Sequence, residues 1–294
     1  MICPACKSPE IKKIGNINTQ EKKDAHKPLL VSCSTCDLLF LSDYDIDRSY
    51  IYNENYATWA ADLEEAADTI GQAKTSAFEQ QLQTLLNISG ARGGHFLDIG
   101  TGPGYLMDVA CQQGYDVYGL DISPHVTRIL EERHPGKIHT GDLLSAEYPA
   151  NFFKIIALTD LIEHLPHPRP FFDELRRIIA PGGYLFIITP DSDSLSRRWW
   201  GKNWFQYKYE HVIYWNKQSL ANILRSADFE IIIKKPNRKR FSLAYYYFYF
   251  QKYNLAIIGP LFRRIYQLLP RRWQNWEFSN PITGEMLVVA QKKL

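Results

Sequence analysis

An acidic residue followed by three alternating glycines forms the most chemically informative motif of the chain, from Asp98 to Gly104. Glycine permits the backbone angles of a tight strand-to-helix turn and lets a ligand lie against bare backbone. The dinucleotide spacing G-x-G-x-x-G would require a glycine where Tyr105 stands. A carboxylate at Asp98 would also repel a pyrophosphate held at the N-terminus of the following helix. The motif therefore favours a cationic ligand, although a turn that needs glycine for its conformation alone has the same sequence.

More carboxylates follow at positions where ligand contacts are expected. Asp121 ends a predicted strand roughly 20 residues after the glycine turn, where doubly wound folds place an acid on ribose hydroxyls. Ser123 and Pro124 have the N-cap and first-turn chemistry of a helix start, so Asp121 lies at a strand-to-helix edge. Asp142, after the next strand, could accept a hydrogen bond from an adenine amino group. Together these acids predict a nucleoside site.

Four cysteines form a second motif, with two C-x2-C pairs at Cys3, Cys6, Cys33 and Cys36. This spacing predicts a zinc ribbon in which each pair contributes two thiolates to one tetrahedral site. Such a site is closed, so the zinc would be structural and would stabilise a small module. A redox pair or free thiols are the alternatives. The fifth cysteine, Cys111, falls in a predicted helix, where we expect it to be buried.

The candidate catalytic residues follow the fourth and fifth predicted strands. Ligands in open α/β sheets bind outside the carboxyl ends of the strands, so these residues should face the reacting group. His164 and His211 are candidate general bases, with Glu163 beside them. Both histidines could instead have structural roles. For His211, this role would be to cap a helix that begins near Asn216. The other predicted acceptor-side residues are Asp160, His167, the loop from Arg197 to Phe205, and Glu210.

Alternating strands and helices must position these residues. Apolar runs bounded by glycine, proline and acids predict five strands, at residues 96–99, 116–121, 137–140, 154–160 and 184–189. Helices are predicted near residues 59–70, 74–86 and 171–179. The order β-α-β-α predicts an α/β fold with a doubly wound parallel sheet.

These motifs, together with Glu163-His164-Leu165 and Pro181-Gly182-Gly183, resemble class I S-adenosylmethionine-dependent methyltransferases over residues 78–235. The resemblance implies a Rossmann-like seven-stranded sheet whose last strand, Glu285 to Lys292, lies antiparallel beside Phe229 to Lys234. It also implies S-adenosylmethionine as cofactor, with Asp98 and the glycines around its methionine part, Asp121 on the ribose, and Asp142 with Leu143 at the adenine. The full predicted cofactor-binding set is Asp98, Gly100, Thr101, Gly102, Gly104, Tyr105, Asp121, Ile122, Asp142, Leu143 and Asp160.

Two further comparisons with known methyltransferases narrow the acceptor. Asp160, Glu163 and His164 resemble the acid-x-x-Glu-His run of ubiquinone-pathway O-methyltransferases, which hold a divalent cation, so magnesium is a minor possibility. The Asp/Asn-Pro-Pro-Tyr motif of adenine and glutamine methyltransferases is absent where residues 159–162 stand. The Glu163-His164 pair and the stretch from Glu210 to Trp215, together with the zinc ribbon, resemble bacterial small-molecule methyltransferases, which implies methylation at oxygen of a glycan, lipid-linked or secondary-metabolite acceptor.

The segment from Ile231 to Trp276 is unusually basic, with ten Lys or Arg and no Asp or Glu in a chain whose net charge is +2. Three interpretations compete: a helical lid or homodimer surface, an interfacial helix that meets anionic lipid or a lipid-linked substrate, and an RNA-binding segment. An rRNA or tRNA methyltransferase, an inactive donor-binding scaffold and a nicotinamide oxidoreductase are the rival functions.

The chain contains no run of about 20 apolar residues and does not begin with a signal peptide, so we expect a cytoplasmic protein, or one peripheral to the inner face of the membrane. The predicted domains are a zinc-ribbon module (1–42), a helical linker or cap (43–90), the cofactor-binding core (91–235), a basic aromatic helical insert (236–280) and the last antiparallel strand (281–294).

Overall fold

A computed structural model describes residues 1–19, 28–45, 71–90, 92–237, 239–243, 247, 264–274, 277–280 and 284–293. The helix predicted at residues 59–70 and most of the aromatic run that follows Phe241 lie outside these ranges.

A seven-stranded sheet forms the centre of the molecule. In spatial order its strands are β10 (Phe229–Pro236), β13 (Glu285–Lys292), β8 (Ile179–Pro190), β7 (Phe153–Thr159), β4 (His95–Ile99), β5 (Asp116–Asp121) and β6 (Ile138–Thr140). The strands β4 to β8 run parallel to one another, whereas β13 is antiparallel to both β8 and β10. The last strand of the chain is therefore inserted beside the strand predicted for it, as expected.

Helices pack against this sheet and form a separate apolar cluster on each of its faces. They are α1 (Gln72–Ser89), α2 (Tyr105–Gln112), α3 (Pro124–Arg133), α4 (Pro168–Ile178) and α6 (Lys217–Ser226), while the short helix α5 (Leu195–Trp200) follows β8 and is largely exposed. The fifth core strand begins at Ile179, before the Pro-Gly-Gly turn that was expected to precede it, because α4 already ends at Ile178. Cys111 in α2 is exposed, so the expectation that it is buried was wrong.

The N-terminal residues form a second, four-stranded antiparallel sheet. It contains β1 (Ile11–Asn16), β2 (Leu29–Cys33), β3 (Leu39–Leu41) and β9 (Ile213–Tyr214). The strand β9 comes from the connection between β8 and α6, far along the chain. Some apolar side chains of this module, including Phe40 and Ile213, belong to the buried cluster on one face of the central sheet, and others, including Leu30 and Leu41, form a separate cluster with Trp204.

The described parts of the basic insert contain more than the expected helices. The strands β11 (Lys239–Ser242) and β12 (Glu277–Asn280) form an antiparallel pair, and a short helix, α7 (Arg271–Gln274), precedes β12. In the described part of this insert, the side chains of Ile265 and Leu268 are exposed, with exposed fractions of 50% and 85%. Within the ranges described, no helix combines the length and apolar character needed to cross a membrane.

Candidate active site and metal centre

The glycine turn joins β4 to α2 and has the strained geometry that its sequence predicts. Gly100 and Gly104 have φ of 71° and 83°, in the left-handed region that favours glycine. The backbone N–H of Gly100 donates to the carbonyl of Leu120 on β5 at 2.8 Å, which holds the turn against the neighbouring strand. A Cβ atom at Gly104 would lie 2.5 Å from Leu130 of α3. The turn therefore needs glycine both for its backbone angles and for close packing.

Asp98 is the buried acid at the start of this turn, with a side chain 1% exposed. Its Oδ1 atom has no hydrogen-bond partner within the described part of the chain. Burial raises the pKa of Asp98 to about 7, and repulsion from Asp121 adds to this, while the nearby Thr101 lowers the pKa and offsets part of the rise. A buried carboxyl group with an unsatisfied oxygen provides a receptor for a cationic or hydrogen-bond-donating ligand.

Asp121 ends β5, and its carboxylate organises the backbone of two turns. Oδ2 accepts from the N–H of Gly102 at 3.0 Å and Oδ1 from the N–H of Ser123 at 2.9 Å. Burial raises its pKa, and these backbone hydrogen bonds partly offset the rise. Asp121 thus couples the glycine turn to the start of α3, and each oxygen retains a second lone pair for a ligand hydroxyl.

The remaining predicted cofactor residues lie along the same edge of the sheet. Ile122 is 45% exposed directly after Asp121, and Leu143 is buried. Asp142 is exposed and caps a short 3-10 helix, where its Oδ1 accepts from the N–H of Ser145 at 2.9 Å. Tyr105 begins α2, and its ring lies against Gly71, just before α1. These positions are compatible with an adenosine site, and the assignment of each contact remains a prediction.

Glu163 lies beyond the end of β7 and is completely buried. Its Oε2 accepts from the hydroxyl of Thr189 at 2.9 Å, and its Oε1 has no partner among the residues that are described. Burial raises the pKa of Glu163 to about 8, with a further contribution from the negative charge of Asp160. Both effects favour the neutral, protonated form of Glu163.

The two candidate bases, His164 and His211, pack edge to face with ring centroids 4.8 Å apart. The Nδ1 of His164 bonds the carbonyl of Glu210 at 3.1 Å, and the Nδ1 of His211 bonds that of Gln206 at 2.9 Å. Because a carbonyl only accepts, each Nδ1 must carry the proton, and each neutral ring then has its lone pair on Nε2. Burial lowers the pKa of both rings, that of His211 strongly. The alternative role of His211 as a helix cap is wrong, since Asn216 caps α6.

Three of the candidate acceptor-side residues lie together in the structure. Glu163, His164 and His211 each present a ligand atom, and these atoms lie within 4.8 Å of one another, a spacing at which one divalent cation could be held. Asp160 is exposed instead, with φ of 52°, and stays outside this group. His167 contacts Asp45 at 2.7 Å, away from the catalytic candidates. Thr189 and Gln206 were not predicted, because neither lies in a motif.

The four cysteines come together as predicted. The Sγ atoms of Cys3 and Cys36 are 3.6 Å apart, those of Cys6 and Cys33 are 3.5 Å apart, and all four lie within 4.8 Å of one another. Sulfur atoms around a tetrahedral zinc with bonds of about 2.3 Å are separated by about 3.8 Å. A hydrogen bond from Cys36 lowers the pKa of the Cys3 thiol to about 5, so one thiolate is available near neutral pH. The donor set and its spacing fit a structural zinc ion.

Comparison with known proteins identifies the family. A methyltransferase domain family matches residues 59–234, which is more than half of the chain. The chain belongs to this family, and the seven-stranded sheet with its inserted antiparallel strand agrees with it. The predicted fold class and family are both confirmed.

Curated relatives match a shorter stretch. The ubiquinone biosynthesis O-methyltransferase of Xylella fastidiosa strain 9a5c is 34% identical over 109 residues, covering 35% of this chain and 43% of the relative. The enzyme of the same name from Pseudomonas aeruginosa strain UCBPP-PA14 is 29% identical over 108 residues, covering 34% and 46%. The chain thus spans less than half the length of the curated relatives it matches.

Solved structures share the fold at low sequence identity. A Bacillus halodurans protein provisionally named a methyltransferase has a TM-score of 0.51 and 18% identity, covering 72% of this chain and 99% of its own. A chain from a complex with the Haloferax volcanii methyltransferase activator Trm112 has a TM-score of 0.54 and 16% identity, covering 81% and 96%. A 4+2 cyclase, SpnF, has a TM-score of 0.51 and 19% identity, covering 74% and 81%. The fold alone therefore does not determine the reaction.

Proposed function

We propose that this protein transfers a methyl group from S-adenosylmethionine to a small hydroxylated acceptor. The observation that carries the proposal is the buried Asp98 carboxyl group, whose Oδ1 lacks a partner beside a left-handed glycine turn. A pyrophosphate would be repelled there, whereas the ammonium and sulfonium groups of the donor would be attracted. When bound, the donor supplies an electrophilic methyl carbon with a good leaving group.

The chain's own residues would then align the acceptor and remove its proton. Asp98, Asp121 and the glycine turn hold the donor along the edge of β4 and β5. His211 and His164 lie beyond the neighbouring strand β7, where the acceptor would approach. The Nε2 of His211, which is the lone-pair nitrogen, would accept the proton of the acceptor hydroxyl as its oxygen is methylated. Positioning supplies most of the rate enhancement in such a displacement.

Calorimetry with S-adenosylmethionine and with NAD tests the donor directly. We expect saturable binding of the methyl donor and none of NAD, and Asp98→Asn should weaken the donor while leaving the fold intact. A release assay for adenosylhomocysteine with phenols, sugar nucleotides and lipid-linked glycans then tests the acceptor. Binding of NAD in preference to S-adenosylmethionine would refute the donor assignment, and no turnover of any acceptor would favour a non-catalytic scaffold.

We also propose that the four-cysteine module binds one structural zinc ion, as the sulfur spacing supports. Elemental analysis of the purified protein should find about one zinc per chain. Replacing Cys36 by Ser should remove that zinc, whereas Cys111→Ser, on the exposed face of α2, should retain it. A wild-type protein without zinc after purification in metal-replete medium would refute the site.

The segment from α5 to the residues before His211 has the chemistry of a lipid-facing surface. The exposed fractions of Leu195, Trp199 and Trp200 on α5 are 64%, 69% and 45%. The stretch from Ser194 to Tyr209 carries four Lys or Arg and no acid. Aromatic and aliphatic side chains next to cations suit an anionic membrane surface. RNA is less well matched, because the aliphatic Leu195 cannot stack on bases as an aromatic ring does.

Co-sedimentation with vesicles tests this contact and the acceptor class that it implies, a lipid-linked hydroxyl compound. We expect binding to vesicles that contain anionic lipid and much weaker binding to neutral ones. The double variant Trp199→Ala, Trp200→Ala should lose binding, and Ile14→Ala, which is also exposed but lies on the N-terminal sheet, should keep it. Equal binding of both variants, or retention on RNA at low salt instead, would exclude the lipid surface.

A further inference from the structure

The N-terminal module is built into the proposed catalytic centre through β9. In this pairing Leu39 lies opposite Tyr214 and Phe40 opposite Ile213. The backbone N–H of Leu41 also donates to the carbonyl of Val212 at 3.0 Å. A strand of two residues makes too few contacts to hold its own conformation. The position of β9 therefore depends on β3, which directly follows the second cysteine pair.

A side-chain contact makes a second connection, from the second cysteine pair to α6. Asp37 follows Cys36 with φ of 60°, and its carbonyl and Oδ2 accept from the Nδ2 of Asn216 at 3.0 and 2.7 Å. Asn216 is 2% exposed, and its Oδ1 accepts from the N–H of Ser219 at 2.7 Å in a capping box. The cysteine loop thus fixes the residue that starts α6.

The segment held in this way contains His211 and touches the loop of Glu163. The N–H of Val212 donates to the carbonyl of Glu163 at 2.9 Å, and the indole N–H of Trp215 donates to the carbonyl of Ile162 at 3.1 Å. Residues 211–216 are consequently attached to the cysteine module on one side and to the proposed catalytic loop on the other.

We infer that the cysteine module positions the catalytic histidine, with Asp37 as a positioning residue that acts through Asn216 and β9. The catalytic role of His211 in this inference rests on the proposed function. A metal ion held by the four thiolates would fix the loop that carries Asp37, and that loop fixes residues 211–216. A displacement of about 1 Å in a catalytic group lowers rates by about 100-fold. The module would then be required for turnover and dispensable for donor binding, since Asp98 and Asp121 lie on other strands.

The chain offers a matched control in its first cysteine pair. Lys7 follows Cys6 with φ of 65°, and its N–H donates to the carbonyl of Cys3 at 3.0 Å, just as that of Asp37 donates to Cys33 at 2.9 Å. Lys7→Gly and Asp37→Gly therefore change the two equivalent loops alike. Only Asp37→Gly removes a hydrogen bond to Asn216. Asp37→Asn keeps a carbonyl oxygen that can accept it and serves as the rescue variant.

The experiment combines hydrogen exchange of residues 207–217, zinc content, donor affinity and turnover in the full-length protein. In Asp37→Gly we expect exchange at these amides to be at least 10-fold faster and kcat about 10-fold lower, with zinc content and donor Kd unchanged. Asp37→Asn and Lys7→Gly should match the wild type in every measurement. Wild-type exchange in Asp37→Gly would overturn the inference.

The exchange measurement does not depend on turnover, so it separates this inference from the proposed function. If no acceptor is methylated by the wild type, faster exchange in Asp37→Gly still supports the structural link, and the failure belongs to the proposed function. If Asp37→Gly loses zinc, hydrogen exchange at residues 207–217 is instead compared in the wild type before and after a chelator removes the zinc. Faster exchange at residues 207–217 after zinc removal supports the link, and unchanged exchange overturns it.

Discussion

The buried Asp98 should make both stability and donor binding depend on pH. Its pKa is about 7 in the folded protein, against an ordinary value of 3.8. Between these values the folded state retains a proton that the unfolded state has lost, so stability falls as pH rises and stops falling above the folded pKa. The slope is about 1.4 kcal/mol per pH unit, which amounts to about 3 kcal/mol between pH 5 and pH 8. The variant Asp98→Asn has no titrating group at this position, so its stability lacks this dependence on pH.

Urea unfolding of the wild type and Asp98→Asn at pH 5 and pH 8 measures the difference. The variant should gain about 3 kcal/mol relative to the wild type over this interval, through the same linkage. Donor affinity should change with pH in the opposite direction, because the charged carboxylate attracts a cation. In calorimetry, the affinity of the wild type for the donor should rise about 10-fold from pH 6 to pH 8, and the affinity of the variant should stay constant. A parallel pH dependence in both proteins would refute this account of Asp98.

Three other substitutions test the remaining parts of the site. Gly104→Ala should lower the free energy of unfolding by about 2–4 kcal/mol in urea titrations, because a Cβ overlaps α3 and the backbone is left-handed. Gly114→Ala, equally left-handed at φ 85° with no atom within 4 Å of its Cβ, should cost less, and equal losses would exclude the steric contact. Asp121→Asn should weaken the donor by about 1.5–3 kcal/mol in calorimetry, through lost charged hydrogen bonds, and an unchanged Kd would count against the pocket. His211→Gln should lower kcat by about 100- to 10,000-fold with donor Kd retained, whereas His95→Gln, on the opposite edge of the sheet, should leave both unchanged; a His211 variant with normal kcat would remove it from catalysis.

Local chemistry made much of this fold predictable. The glycine turn, the acid that ends β5 and the paired cysteines each have a spacing with a specific physical cause, so their positions followed from sequence. The inserted last strand was expected from the family resemblance and is confirmed by the pairing of Glu285 with Pro190.

Other features depend on contacts between distant residues and left no local pattern. Ile213 and Tyr214 are too short a strand to show alternation, so their pairing with β3 could not be foreseen. The hydrogen bond from Asn216 to Asp37 joins residues 179 positions apart. Cys111 was expected to be buried within its predicted helix, but it lies on the solvent side of that helix. Sequence patterns gave the edge of the sheet where chemistry is expected, and tertiary contacts decided which side chains meet there.

The shared strand β9 also affects how the protein is made. Its partner β3 ends at Leu41, and β9 begins at Ile213. At a synthesis rate of about 5–20 residues per second, roughly 10–30 s separate the emergence of the two strands from the ribosome. During that time the nascent N-terminal sheet has only three strands, and the backbone edge of β3 lacks its partner strand β9. We therefore expect the N-terminal sheet to reach its final packing only after most of the core has been translated, although β1 to β3 are synthesised before the core.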